Sequence, residues 1–113
     1  MSALLTSTAL KRCRLTTANS MFFLCDLQDK FRPLIYRSET IINKAAFLNK
    51  AFNILEVPCL ITEHYSKALG KTVPDIELFT TTKVFEKRIF SMMGSEEVKT
   101  ALADSNRKQV CVM

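Results

Sequence analysis

Residues 21–62 read MFFLCDLQDKFRPLIYRSETIINKAAFLNKAFNILEVPCLIT, and this stretch decides the fold. Met21 to Cys25 is continuously apolar and gives way at once to Asp26, as in a strand buried on both faces that ends at a polar edge. Pro33 closes the loop that follows. From Ser38 onward Ile41, Ile42, Ala45, Leu48, Phe52 and Leu55 recur at helical spacing, with Ser38 placed to cap the first turn and Glu39 suited to its positive end. The helix stops before Pro58, because a residue preceding proline avoids the helical region. Val57 to Thr62 then reads as a second buried strand. Strand, helix of about five turns, strand is the pattern of a right-handed parallel crossover.

Beyond Thr62 the chain turns polar (EHYSKALGKTVPDIE), with Gly70 and Pro74 marking an irregular connection long enough to be functional. KVFEK, around Val84 and Phe85, predicts a short third strand. Ser95 is placed to cap a helix with Glu96 and Glu97 in its first turn and Val98, Ala101 and Leu102 on its apolar face; Asp104, Ser105 and Asn106 end it. Gln109 to Met113 is a fourth apolar strand. The order argues an α/β layered domain with a parallel sheet. Only two helices of any length serve four strands, and an apolar strand at the far end leaves an unprotected sheet edge. The expectation is therefore a partial domain over residues 20–113, cut after about four strands and preceded by an extension over residues 1–19.

The 113-residue length allows one core, and 48% hydrophobic and 24% charged residues with only two glycines and three prolines exclude disordered, collagenous and low-complexity classes. No apolar run reaches the roughly 18–20 residues a membrane span needs. The net charge of +5 is unevenly placed: Lys11, Arg12 and Arg14 face no acid in the first 25 residues, while the remainder carries 13 basic and 11 acidic residues. So weak a field in the body does not suggest nucleic acid. The basic, Ser- and Thr-rich, acid-free beginning resembles an organelle transit peptide, the alternative being an ordinary terminal extension. Cys13, Cys25, Cys59 and Cys111 have neither metal-ligand nor redox-pair spacing, and the last three lie in apolar runs. They read as packing residues of an intracellular chain, cytoplasmic by expectation with mitochondrial as the alternative.

Gly70-Lys71-Thr72 imitates the tail of a phosphate-binding loop, but the glycine required five residues earlier is Tyr65. The single histidine, His64, cannot build a zinc site; beside Glu63 it reads as a hydrogen-bonded loop histidine. Asp26 is a stronger candidate, because open parallel sheets bind ligands beyond the carboxyl ends of their strands. Lys87 stands at the end of the third strand in the same sense, and an acid beside an ammonium stays ionised and able to accept a proton. Taken alone, charged strand ends are common, and Asp26 has an ordinary reading as a loop cap.

The segments FLCDLQDKFRPLI, ILEVPCLITEHYSKALGKTVPDI and KRIFSM closely resemble the isochorismatase-like cysteine hydrolase family, in its eukaryotic isochorismatase-domain-containing branch. The resemblance covers about residues 20–113. It implies a three-layer α/β/α domain with a mainly parallel sheet, and hydrolysis of amide or ester-like bonds by an Asp, a Lys and a nucleophilic Cys. The family's D-x-Q motif falls on Asp26 and Gln28, with Phe31 the aromatic that follows. Its K-x-x-F-S block falls on Lys87, Phe90 and Ser91, and its T-E-x-Y-x-x-x-L-G block on Glu63, Tyr65 and Gly70, with His64 where Gln is usual and Ser66 where Pro is usual. Asp26 and Lys87 are thereby implied as catalytic, and Gln28, Phe31 and Tyr65 as substrate-binding. No metal or cofactor is implied.

The family's nucleophile lies beyond the strand matched by KQVCVM, at a helix start that lowers the thiol pKa and supplies oxyanion donors. Cys111, inside that strand, is no substitute. The expectation is a hydrolase-family chain that takes a small-molecule substrate in its complete form, is inactive as it stands, and binds neither nucleic acid nor membrane. The alternative is a non-catalytic module that pairs through its open sheet edge, as a homo-oligomer or with another chain.

Overall fold

The computed structural model describes residues 14–113. Strands β1 (Ser20–Cys25), β2 (Cys59–His64), β3 (Lys83–Lys87) and β4 (Gln109–Val112) form one parallel sheet in the order β3-β2-β1-β4. Helix α1 (Ser38–Ile54) connects β1 to β2, the single turn α2 (Ser66–Leu69) follows β2, and α3 (Glu96–Ser105) connects β3 to β4. The first crossover moves one way across the sheet and the last moves back past β1. Right-handed connections therefore put α1 and α3 on opposite faces.

Alternation along the strands feeds both cores. Phe22 and Leu24 of β1, with Cys59 and Ile61 of β2, pack against Ile42 and Ala45 of α1. Met21, Phe23 and Leu60 point the other way, against Met92, Val98 and Ala101. Burying both faces of β1 is what its unbroken apolar run encodes. On the α1 side the rings of Phe22 and Phe52 meet at 4.9 Å. The result is the expected three-layer α/β/α arrangement with four parallel strands.

Three local expectations are corrected. Ser38 does not cap α1: Arg37 holds the cap position with φ 55°, and its side chain makes no capping hydrogen bond. The turn is tied instead by Arg32, whose guanidinium donates to Glu39 at 2.7 and 2.8 Å and to Asp75 at 2.7 Å. Leu55 lies past the helix and is exposed, since the chain turns out of α1 through Glu56 at φ 61° and Val57 N–H donates to Phe52 O. The second strand covers 59–64 where 57–62 was expected; Pro58 has no N–H to give to a ladder. The second helix matches its prediction, with the Ser95 hydroxyl accepting from Val98 N–H and Asn106 in the left-handed region at its end.

Residues 14–19 are fastened to the start of β4. Thr16 N–H and the Ser20 hydroxyl both donate to Gln109 Oε1. The transit-like reading of the leader, with Lys11, Arg12 and Cys13, falls mainly on residues 1–13 and lies outside the described residues. Among the described residues, no helix is long and apolar enough to cross a membrane.

Candidate active site

Asp26 is the first residue beyond β1 and Lys87 the last residue of β3, so two sheet spacings, roughly 10 Å, separate their strands. The gap is closed from both sides. Asp26 leaves the strand with φ 51°, a left-handed conformation that Asp tolerates better than most residues. From the other side the long Lys87 arm crosses the end of β2. Lys87 Nζ and Asp26 Oδ2 meet at 2.7 Å, with the Lys87 side chain 1% and the Asp26 side chain 18% exposed. Thr62, fully buried on β2, donates its hydroxyl to the other carboxylate oxygen at 2.9 Å.

The ammonium is fully occupied. Besides Asp26 it donates to the carbonyls of Ile89 at 3.0 Å and Phe90 at 2.9 Å, and His64 Nδ1 lies 3.4 Å away. His64 is the register partner of Lys87 on the adjacent strand. The loop histidine expected from the sequence is thus the last residue of β2, beside the ion pair.

Gln28 is 1% exposed and its amide is spent inside the protein. Nε2 donates to the carbonyls of His64 and Gly70, and Oε1 accepts from His64 N–H at 2.7 Å. Glu63, also buried, accepts from the Thr72 N–H at 2.6 Å and from its hydroxyl at 2.9 Å. Together they clamp the 70–72 loop across the ends of β1 and β2. Gly70 is required there: it holds φ 84°, and a Cβ would stand 3.3 Å from Asp29 Cβ. The phosphate-loop imitation at 70–72 is therefore a structural clamp.

Phe31 ends a short 3-10 turn (Asp29–Phe31) and is half-buried. Tyr65 is exposed, at φ 41°, with the Arg88 guanidinium 4.6 Å from its ring centroid. The structure brings Asp26 and Lys87 into direct contact and puts Gln28 behind them. The Tyr65 N–H donates to the Lys87 carbonyl at 3.0 Å, but neither the Phe31 nor the Tyr65 side chain bonds the ion pair.

A groove of about 390 Å³ adjoins the pair on the α3 side, lined by Phe23, Cys25, Phe90, Met92, Val110 and Val112 among others. Neither Asp26 nor Lys87 lines it; their neighbours in the lining are Cys25, which precedes Asp26, and Phe90, whose carbonyl accepts from Lys87. Burial first, then the Asp26 charge, pushes the Cys25 thiol upward, with Lys87 opposing. Burial alone pushes Cys59 up to about 12. Cys25, Cys59 and Cys111 are all free thiols. Another cavity, between β3 and α3, is lined by Lys83, Phe85, Glu96 and Asp104 and contains neither Asp26 nor Lys87. Among the described residues no cluster of His, Cys, Asp and Glu could hold a metal ion.

Sequence reasoning missed Thr62, the carbonyls of Ile89 and Phe90, and the nearness of His64. Only the register of β2 against β3 could have signalled His64, and a single sequence does not state register.

The isochorismatase domain model matches residues 20–113. The chain is 39% identical over 100 residues to isochorismatase domain-containing protein 2 of Danio rerio, covering 88% of this chain and 50% of that one. A solved Caenorhabditis elegans protein described as MAR1 ribonuclease superposes with a TM-score of 0.82 at 35% identity, covering 88% of this chain and 52% of that chain. The Escherichia coli YcaC gene product, described as an octameric hydrolase of unknown specificity, shares the fold with a TM-score of 0.76 at 19% identity over 88% of this chain and 51% of its own. This chain spans about half the length of the curated relatives it matches. With its four-stranded parallel sheet and a family match over residues 20–113, the chain belongs to the isochorismatase domain family.

Proposed function

We propose that this chain carries the acid and lysine of a cysteine-hydrolase site for small amides or ester-like molecules, and that on its own it does not turn them over. The observation that carries the reading is the 2.7 Å contact of Asp26 and Lys87 at the carboxyl ends of parallel strands, beside an apolar groove. In the proposed reaction Asp26 takes the proton from an attacking thiol, and Lys87 balances the charge on Asp26. The sulfur then adds to the carbonyl carbon, the amine leaves with a proton, and water hydrolyses the thioester.

None of the described thiols suits the attack. Cys25 adjoins the pair, but burial and the Asp26 charge keep it protonated; Cys59 is buried in the α1-side core, and Cys111 sits inside β4. The nucleophile is assigned to sequence of the kind that forms the other half of the relatives.

The test is a chimera joining residues 1–113 to the C-terminal half of the zebrafish relative, assayed for ammonia or alcohol release on a panel of small primary amides and esters. The chimera should turn over at least one of them and lose about 100-fold or more with Asp26→Ala. The 113-residue chain should be silent. Turnover by that chain, abolished by Asp26→Ala, would refute its inactivity. The name of the C. elegans protein motivates an RNA arm: Asp26-dependent cleavage of RNA by a chimera inert on amides would replace the hydrolase reading. The alternative of a pairing module rests on the edge of β4, which among the described residues pairs with β1 alone, and gel filtration decides it.

A further inference from the structure

We infer that His64 is a positioning residue of this site, held by Lys87 in the tautomer protonated on Nε2, so that it offers a fixed N–H donor to a bound carbonyl. The donor role rests on the proposed amide chemistry; the locked tautomer does not.

The argument begins with the count of protons on Lys87. An ammonium has three, and three oxygens at 2.7–3.0 Å take them: Asp26 Oδ2, Ile89 O and Phe90 O. His64 Nδ1 is the fourth neighbour, at 3.4 Å, and receives no proton of its own. What faces it is the positive charge of a buried cation that has no lone pair. A proton on Nδ1 would oppose donor to donor, whereas a lone pair there is attracted by the charge. The neutral ring therefore carries its proton on Nε2.

The backbone that carries the ring is fixed. His64 N–H and C=O are both held by the Gln28 amide, at 2.7 and 3.0 Å, and Gln28 is in turn anchored on Gly70. The residue ends β2 in register with Lys87, so the imidazole and the lysine arm rise from neighbouring strands. Charged groups on the packed elements are otherwise engaged: Asp26 with Lys87 and Thr62, Glu63 with Thr72, and Glu86 with Ser66. Among the described residues Nε2 has no hydrogen-bond partner, and His64 is half-buried, which leaves that N–H free for a ligand. The chemistry it suits is an acceptor oxygen carried by a small substrate.

His64 is the only histidine in the chain, so its two ring nitrogens give unambiguous signals. Long-range proton–nitrogen NMR of the 113-residue chain at about pH 9, above the ordinary imidazole range, reads the tautomer directly. The same chain in urea is the reference. The native spectrum should lack the Nδ1–H form that the unfolded chain populates, and a folded Lys87→Met variant should regain it. A native tautomer ratio equal to the unfolded one, or a majority of Nδ1–H, overturns the inference without bearing on hydrolysis. Added benzamide should move the Nε2 signal; a locked tautomer with no response to benzamide overturns the donor role, and the chimera assay separately decides the hydrolase reading.

Discussion

Lys87 and Asp26 stand 61 positions apart in the chain and 2.7 Å apart in space, with the cation the more deeply buried partner. Removing the acid strands a charge in a dry environment, which is the costly way to break such a pair. Asp26→Ala should destabilise the fold by about 3–5 kcal/mol in urea denaturation. Asp26→Ala with Lys87→Met should recover a large part of that loss, because the stranded ammonium goes too. Equal midpoints for wild type and Asp26→Ala would show that the lysine finds water.

Gln28 is predicted to matter for folding even where no substrate is present. Gln28→Leu keeps the bulk of the side chain but orphans the His64 N–H and the carbonyls of His64 and Gly70. At roughly 1–3 kcal/mol per orphaned group, partly relieved by water at the loop, a loss of about 3 kcal/mol is expected. Limited proteolysis should then nick the chain near residues 70–72; a variant as stable and as resistant as wild type would remove the clamp from the account.

Acid should loosen the entry to α1. Hydrogen bonds from Arg32 hold both Glu39 and Asp75 below the usual carboxylate range. A depressed folded pKa contributes stability above the unfolded value and loses it as pH falls through the folded one. The contribution is thus intact at neutral pH and fades below about pH 4. All three side chains meet solvent, so the effect is small and salt weakens it. The gap in urea midpoint between wild type and Arg32→Met should narrow on acidification; a widening gap contradicts the assignment.

Alkylation should sort the thiols by environment. In the native chain iodoacetamide at about pH 8 should leave Cys59 untouched and modify Cys25 slowly, since the thiolate is the reacting form. Asp26→Asn removes the negative charge that raises Cys25 and leaves the Lys87 charge that lowers it. Cys25 should then react severalfold faster in the folded variant, as mass spectrometry of the peptides would reveal; an unchanged rate would mean that burial alone governs it.

The layered parallel fold was legible because runs such as Met21 to Cys25 have one physical use, a strand covered on both sides. Asp26 and Lys87 were legible as polar residues at strand ends, and the family resemblance singled them out from many such residues. What escaped was set by tertiary geometry. Ser38 has the chemistry of a cap, yet Arg37 takes that position in a left-handed conformation. His64 looked like a loop residue because its neighbours are polar, while register with β3 makes it the end of a strand. The bonds of the Gln28 amide to the backbone of His64 and Gly70 depend on the folded β2 end and 70–72 loop, which no sequence spacing states.

Ser20 of β1 pairs with Gln109 of β4, and β1 lies between β2 and β4. β1 is therefore enclosed on that side only after β4, 89 residues further along the chain, has left the ribosome. Until then its apolar residues Met21 to Leu24 have an open flank in the nascent chain, so the sheet cannot close around β1 before β4 is made. A chaperone that shields this segment during translation would raise the yield of native protein more than one that acts after release.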